Sequence, residues 1–287
     1  TIAGGLSFSD TTNGLLTRGA GTLTFDGTGT WTDSRTTKAD LGTIIINGPN
    51  PTTLTLGSSV QATNITISAN NTLNLGPTNY TLTLSGTGTP LTVTGTFNKG
   101  TGSTVVYTNG TSAAVAAVNY QNLTLTPASG TPTYTLGTGT TTVSGALTNN
   151  ASSTLAIGSN TLNVTGNATN SGTITISTGT LDIDGNFTVG TLTVSGAAAI
   201  NIAGNWSGVT AFTPSTSTVT LDGTGTQAIT GANAWYNLTI NAGASLDILG
   251  FNLTIANNLI LNGTLNMVSP AINITGNLTT TSQGTLQ

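Results

Sequence analysis

The sequence predicts an all-β protein folded as a parallel β-solenoid (β-helix) with coils of about 19–21 residues. One short phrase returns four times, at steps of 21, 19 and 19 residues: 143–147 (VSGAL), 164–168 (VTGNA), 183–187 (IDGNF) and 202–206 (IAGNW). A fixed period of this kind indicates stacked repeats. Apolar residues also alternate with threonine, as in 81–84 (TLTL) and 191–194 (TLTV), which places the two kinds of side chain on opposite faces of a strand.

The period and the alternation together predict the contents of a coil. About twenty residues hold two or three strands of about four to six residues, at a rise of about 3.3 Å per residue. Leucine, isoleucine and valine are expected inside, and threonine outside, where its branched side chain suits a pleated surface. Glycine and asparagine are expected at the corners, because both tolerate positive φ.

Taken in order, the chain divides into a short opening segment and three long repeats. Residues 1–20 have weak periodicity and are predicted to form an N-terminal cap or a donated strand. Each long repeat then contains three matching segments: 22–28, 104–111 and 218–224 for the first, 41–46, 120–125 and 236–240 for the second, and 54–57, 134–137 and 248–250 for the third. We expect the repeats at 21–100, 101–214 (with extra coils) and 215–287, in one continuous solenoid.

An array of β-sandwiches is the alternative architecture. The Asp-Gly pairs at 26–27 and 222–223 are tight-turn signals that permit antiparallel hairpins. A sandwich repeat of about 80–110 residues would fit the long period, but it leaves the 19–21-residue period within a copy unexplained. Helix is expected at most as a single turn over 113–118 (AAVAAV).

Composition excludes several classes of function. The 287 residues include no cysteine and no histidine, so disulfides, thiolate metal sites and the commonest general base are missing, and no cofactor is expected. Four basic residues against eight aspartates give a net charge of −4. Four scattered cations cannot build a phosphate-binding track, so no nucleic-acid partner is expected. No apolar run approaches the roughly 18 residues of a membrane span.

Three features resemble a known family. The chain has a Thr-x-Thr-x-Asp-Gly-Thr-Gly-Thr opening (22–30 and 218–226), a Tyr-Asn-Leu-Thr-Ile strand (236–240) and a Thr-Gly-Asn-Leu-Thr closing (275–279). These are similar to the long β-strand-repeat proteins of bacterial surfaces, the adhesin and filamentous-haemagglutinin-type β-solenoids. The resemblance covers nearly the whole chain from residue 21 onward. It implies an extracellular, fibrous and non-enzymatic protein.

Two aspartates are the one candidate for a metal or catalytic site. Asp182 and Asp184 lie two residues apart and therefore share one face of a strand. One interpretation is a calcium site or a carboxylate pair for sugar chemistry; the other is two solvated aspartates at a coil corner. No basic residue follows Lys99, so the clustered aspartates with arginine or lysine of pectinase-type solenoids are missing. We expect no enzymatic activity.

Three further surface features have both a functional and an ordinary interpretation. Thr-x-Thr pairs either bind ice or are simply outward-facing strand residues. Tryptophans and tyrosines either form a sugar-stacking surface or pack inside: Trp31, Trp206, Trp235, Tyr80, Tyr120 and Tyr236. Asn-x-Ser/Thr triplets are candidate glycosylation acceptors, although many arise from composition alone: Asn64, Asn79, Asn122, Asn163, Asn186, Asn205, Asn237, Asn252 and Asn277.

The sequence therefore predicts a structural protein of the cell surface or extracellular space that joins head to tail into a filament or adhesive stalk. Solenoid ends present unpaired strand edges that invite another chain. The predicted polymer contacts are uncharged residues near both termini: Thr1, Ile2, Leu6, Phe8, Leu278 and Leu286. The expected partner is a second copy, with surface glycans as a further possibility. The alternative is a carbohydrate- or surface-binding adhesin module that does not polymerise, with ice binding third.

Overall fold

The computed structural model describes residues 1–9, 19–231, 234–248, 252–267 and 271–287. They form two compact units, Thr1–Gly137 and Thr138–Gln287. Both units are parallel β-solenoids, with about 13 turns in total, and the described residues contain no helix. The predicted fold class is confirmed.

Unit 1 consists of short strands, most of them three or four residues long. They are β1 Leu6–Phe8, β2 Thr22–Phe25, β3 Gly29–Asp33, β4 Thr43–Ile46, β5 Thr53–Leu56, β6 Val60–Ala62, β7 Asn64–Ile67, β8 Thr72–Asn74, β9 Thr81–Leu84, β10 Leu91–Val93, β11 Thr96–Asn98, β12 Thr104–Tyr107, β13 Ala113–Val115, β14 Asn119–Tyr120, β15 Asn122–Leu125 and β16 Thr133–Leu136. One sheet has the order β1-β3-β5-β8-β11, and a second has the order β2-β4-β7-β10. A third face stacks β6, β9, β12 and β15, and β13 pairs with β16.

Unit 2 continues the same pattern with strands of two to eight residues. They are β17 Thr140–Val143, β18 Leu147–Asn149, β19 Thr154–Gly158, β20 Thr161–Val164, β21 Ala168–Asn170, β22 Thr173–Ile176, β23 Thr180–Ile183, β24 Phe187–Val194, β25 Ala199–Ile202, β26 Trp206–Thr213, β27 Thr218–Leu221, β28 Thr226–Ile229, β29 Ala234–Trp235, β30 Asn237–Ile240, β31 Ser245–Ile248, β32 Leu253–Ile255, β33 Leu259–Leu261, β34 Thr264–Asn266, β35 Ile272–Ile274, β36 Leu278–Thr280 and β37 Thr285–Leu286.

Three faces run along unit 2. One has the order β17-β20-β23-β25-β27-β30-β33-β36, and a second has the order β18-β21-β24-β26-β28-β31-β34-β37, with β19 and β22 joining it at β24. The third is the short sheet β29-β32-β35.

The register in unit 2 reproduces the period read from the sequence. Leu162 pairs with Leu181, 19 residues further on, and Leu181 pairs with Ile200 after another 19. All three side chains are fully buried, whereas Asn163 and Asp182, which pair with each other on the opposite face, are half-buried. Stacked apolar ladders therefore form the core, and hydroxyl and amide side chains cover the outside.

Every strand pairing between described residues is parallel, so the sandwich alternative is wrong. The Asp-Gly pairs at 26–27 and 222–223 are coil corners rather than hairpin turns. The Asp222 N–H, for example, donates to the Ile202 carbonyl oxygen of the preceding coil at 3.1 Å. The single helical turn expected at 113–118 is also wrong. Its first residues form β13, in which Ala113 and Val115 are buried and Ala114 between them is half-buried, because this stretch alternates in burial with period two.

The glycines of the repeated phrase are required for space rather than for positive φ. Gly185 and Gly204 do not have positive φ. A Cβ on Gly185 would lie 2.4 Å from the carbonyl oxygen of Gly166, and one on Gly204 would lie 2.3 Å from that of Gly185. The expected reason holds at other corners, such as Asn70, where φ is 66°. Coils thus approach closely at this column of corners because no side chain separates them.

The asparagines of the same phrase connect successive coils. The Asn167 Oδ1 accepts a hydrogen bond from the Asn186 backbone N–H at 2.8 Å, and the Asn186 Oδ1 accepts one from the Asn205 N–H at 2.9 Å. The Asn205 Oδ1 in turn accepts the Ala228 N–H at 2.8 Å. Because each side chain satisfies a backbone donor of the next coil, this ladder fixes the stacking register.

The matching segments of the long repeats share a structural role. In each copy the first segment pairs directly with the second, as in Thr22 with Thr43 and Thr218 with Asn237. Residues 10–18 of the predicted opening segment and 249–250 of the last matching segment lie outside the described residues. The boundaries of the three long repeats remain a prediction.

Candidate functional site

The terminal coil of unit 2, residues 271–287, exposes side chains that belong to the apolar interior. Its strands β35, β36 and β37 are each the last strand of their face. Leu278 pairs with Leu259, and Leu286 pairs with Leu265. The inner pair of leucines is 1% and 0% exposed, but Leu278 is 49% exposed and Leu286 is 51% exposed. The two leucines occupy core positions that no described coil covers.

These side chains surround an open apolar cavity of about 490 Å³, lined by Leu259, Met267, Ala271, Ile272, Ile274, Leu278 and Leu286. No charged residue occurs in 271–287. Charged side chains are a common protection of strand edges against pairing with another chain. The terminal coil lacks that protection.

The backbone of the terminal coil also presents unused ladder positions. In the two preceding coils, the Leu238 N–H donates to the Asn258 carbonyl at 3.0 Å, and the Leu259 N–H donates to the Asn277 carbonyl at 2.9 Å. Leu278 is the next residue in this column, so its N–H points toward the open end. Parallel strands alternate the side on which successive residues bond, so a further parallel strand would complete this ladder.

The opening residues 1–9 form a corresponding edge in unit 1. Ile2 forms a parallel bridge with Phe25, and β1 pairs with β3. Ile2, Leu6 and Phe8 are half-buried and line a second apolar cavity of about 390 Å³, while Thr1 is exposed. The residues predicted as polymer contacts therefore lie on strand edges of their units, and their role in assembly remains a prediction.

Sequence reasoning missed a buried charged clamp beside β1. Arg35 Nε and Nη2 donate to Asp33 Oδ1 and Oδ2, each at 2.8 Å, and the guanidinium lies 4.4 Å from the centre of the Phe8 ring. Both charged residues are buried. Burial opposes ionisation of Asp33, but the hydrogen bonds from Arg35 and from the Arg35 and Ala39 amides outweigh it and hold the Asp33 pKa below its ordinary value. The spacing Asp-x-Arg is too common to signal this geometry.

Asp182 and Asp184 lie on the outer surface, close to Asp222. Burial raises the pKa of Asp182, the Asp184 charge raises it further, and a hydrogen bond from Asn201 opposes the shift. Burial and the charges of the other two aspartates likewise raise the pKa of Asp222. Within the described residues, no group of three or more acidic, histidine or cysteine side chains has an arrangement that could hold a metal ion. The calcium and the carboxylate-pair interpretations gain no further ligand from the structure.

The nine candidate glycosylation asparagines fall into two groups. Five are exposed: Asn79, Asn186, Asn205, Asn252 and Asn277. Four are half-buried: Asn64, Asn122, Asn163 and Asn237. The Asn122 Nδ2, to which a glycan would attach, donates to the Ser103 carbonyl at 2.9 Å. Glycosylation itself remains a prediction at all nine.

The aromatic residues considered for a sugar-stacking surface do not form one. Trp31, Trp206 and Trp235 are each 1% exposed, and Tyr120 is fully buried. In unit 2, the Trp206 and Trp235 ring centres lie 5.0 Å apart in the core. Tryptophan at an inward strand position contributes a large apolar area, so burial is its more favourable use here.

A buried tyrosine cluster in unit 1 was not recognised from the sequence. The hydroxyl oxygens of Tyr107 and Tyr120 lie 3.2 Å apart, and the Tyr120 hydroxyl donates to the Ala116 carbonyl at 2.9 Å. The Tyr134 hydroxyl donates to the Asn109 carbonyl at 3.1 Å. Burial raises the pKa of Tyr107 and of Tyr134 to about 12. The period-two positions of these tyrosines did indicate inward side chains.

Comparison of the chain with protein-family models, with curated proteins and with solved structures finds no match. No helix in the described part of the chain is long and apolar enough to cross a membrane. The β-solenoid fold thus rests on the strand register itself.

Proposed function

We propose that this chain is a structural extracellular protein whose copies join head to tail into a surface filament or adhesive stalk. The single observation that carries the proposal is the terminal coil of unit 2. Its core-facing Leu278 and Leu286 are about half exposed, next to open strand edges that no charge protects. A surface of this kind favours completion by another parallel coil.

The occupant that we propose is a second copy of the chain. Its opening edge, made by Ile2 and β1, is also parallel, uncharged and apolar. Joining two different surfaces of identical chains is a heterologous contact, which propagates as an open filament unless the rotation closes a ring. Parallel stacking inside each unit supplies the geometry for such a joint.

The exposed leucines give the joint a rough scale. Burying a whole leucine side chain contributes about 1.5–3 kcal/mol, so covering the exposed half of Leu278 and of Leu286 contributes about 1 kcal/mol each. Ladder hydrogen bonds and the remaining apolar lining add to this. A lysine at either position would leave a charge in the joint and oppose stacking.

The test is sedimentation velocity of the native protein over a range of concentrations. We expect wild type to form assemblies that grow with concentration, and Leu278→Lys to remain monomeric. Ile260→Lys is the matched control, because Ile260 is 37% exposed but lies on β33, which has a strand on each side. The control should assemble like wild type.

Two results would contradict the proposal. If wild type stays monomeric at high concentration, a second copy does not complete the terminal coil. If Leu278→Lys and Ile260→Lys reduce assembly equally, the apolar end of unit 2 is not the joint. Circular dichroism of each variant checks that the solenoid is intact.

A further inference from the structure

We propose that a second copy docks on the terminal coil of unit 2 by stacking its intact opening edge, with β1 kept on its own chain, and not by lending β1 to its neighbour. This inference rests on the proposed function and names the mode of the contact. Stacking and strand exchange both use parallel edges, so the fold class alone does not choose between them. Three observations favour stacking.

The first observation is that the opening residues are already paired within their own unit. The register of β1 on β3 is Leu6 with Trp31, Ser7 with Thr32 and Phe8 with Asp33. Further upstream, the Ile2 N–H donates to the Thr24 carbonyl at 2.7 Å, and the Ile2 carbonyl accepts the Asp26 N–H at 3.1 Å. Lending β1 would break all of these contacts before any new one forms.

The second observation is the charged clamp at the end of β1. The Phe8 ring covers the Arg35 guanidinium, which is itself joined to Asp33 by two hydrogen bonds of 2.8 Å. Lys38 Nζ donates to the Asp33 and Arg35 carbonyls at 2.8 and 2.5 Å. Withdrawing Phe8 would remove a cation–π contact and uncover a buried ion pair. The clamp therefore retains β1.

The third observation is the shape of the receiving edge. The terminal coil presents three strands at once, β35, β36 and β37, around one apolar cavity. A lent β1 has three residues and would pair with one of those strands. A stacked coil covers several edges and the apolar cavity together, so it satisfies more of the exposed backbone.

The test locks β1 onto its own chain with a disulfide. Ser7 and Thr32 are register partners, and neighbouring strands lie close enough for a disulfide to join such a pair. The chain contains no cysteine, so Ser7→Cys with Thr32→Cys introduces a single possible bond. Thr30→Cys with Thr55→Cys, a register pair on β3 and β5, is the matched control for the effects of oxidation.

The oxidised and reduced forms of each variant are compared by sedimentation velocity and by non-reducing gel electrophoresis. Stacking predicts that the oxidised Ser7–Thr32 variant assembles to within about twofold of its reduced form. It also predicts that the disulfide links residues of one chain, so the denatured protein runs as a monomer. The control should behave in the same way.

Strand exchange predicts different results, and they would overturn the inference. Oxidised monomer would lose assembly by tenfold or more while the reduced form and the control keep it. Oxidation of preformed assemblies would then give covalent chains of several copies. These outcomes are distinct from failure of the proposed function, in which wild type itself does not assemble; that result would remove the inference as well.

Discussion

Replacing Gly185 with alanine tests whether close stacking of coil corners stabilises unit 2. The added Cβ would lie 2.4 Å from the Gly166 carbonyl oxygen, 2.5 Å from its carbonyl carbon and 2.7 Å from Asn167 Oδ1. Real Cβ atoms essentially never approach within 3.0 Å of such neighbours. Stacked backbone must therefore separate by about 0.6 Å or more at this corner, because no flexible side chain can move aside instead.

The separation would also stretch the asparagine ladder at the hydrogen bond of 2.8 Å between the Asn186 N–H and Asn167 Oδ1. Overpacking costs about 1–3 kcal/mol, and loss of a hydrogen bond costs about 1 kcal/mol. Alanine recovers about 0.4–1 kcal/mol through the unfolded chain. We expect Gly185→Ala to lower the free energy of unfolding by about 2–3 kcal/mol.

The matched control is Gly225→Ala in the same unit. Gly225 is exposed, does not have positive φ, and has no heavy atom within 4 Å of an added Cβ. This variant should be unchanged or stabilised by up to about 1 kcal/mol. Urea unfolding followed by circular dichroism measures both. Equal stability of the two variants would refute the reasoning, because the steric difference between the two glycines would then have no effect.

Three further predictions concern pH and the side-chain ladders. Stability should be constant up to about pH 10 and fall as the pH rises toward 12, by about 3 kcal/mol from Tyr107 alone, because the native state holds its pKa at about 12 and the unfolded chain titrates near 10; urea unfolding at stepped pH would show no such fall if the hydroxyl were accessible. Asp182→Asn should raise the melting temperature at pH 7 but not at pH 3, since the raised native pKa of Asp182 means that its stability contribution is present below the unfolded pKa and lost above the native one; equal melting temperatures of wild type and variant at pH 7 would contradict this. Asn205→Ala removes the acceptor of the Ala228 N–H at 2.8 Å and should destabilise unit 2 by about 1 kcal/mol in urea unfolding, and an unchanged midpoint would show that the ladder bond is replaced by water.

The coil period and the inward positions could be predicted from the sequence because each is a local pattern. A 19-residue step between Leu162, Leu181 and Ile200 is visible in the sequence, and parallel stacking converts it directly into register. Alternation of apolar and polar residues decides which side chains face the core. The exposed Leu278 and Leu286 follow from the same pattern, since they are core positions in the last described coil.

Other features depend on contacts between coils, which the sequence does not contain. Why Gly185 must be glycine depends on the distance to a corner 19 residues away, and the sequence favoured positive φ instead. The burial of Trp31 depends on which face its strand presents. The Asp33–Arg35 clamp depends on an excursion that returns over Phe8. Each requires a three-dimensional approach that residue spacing alone does not specify.

The most direct measurement of the central claim is electron microscopy of the native protein, undiluted and without denaturant, beside the Leu278→Lys variant. Head-to-tail stacking predicts filaments of uniform width with an axial repeat of one chain length for wild type. It predicts isolated particles for the variant. Isolated wild-type particles at high concentration would contradict the claim and show that the terminal coil of unit 2 is not completed by a second copy.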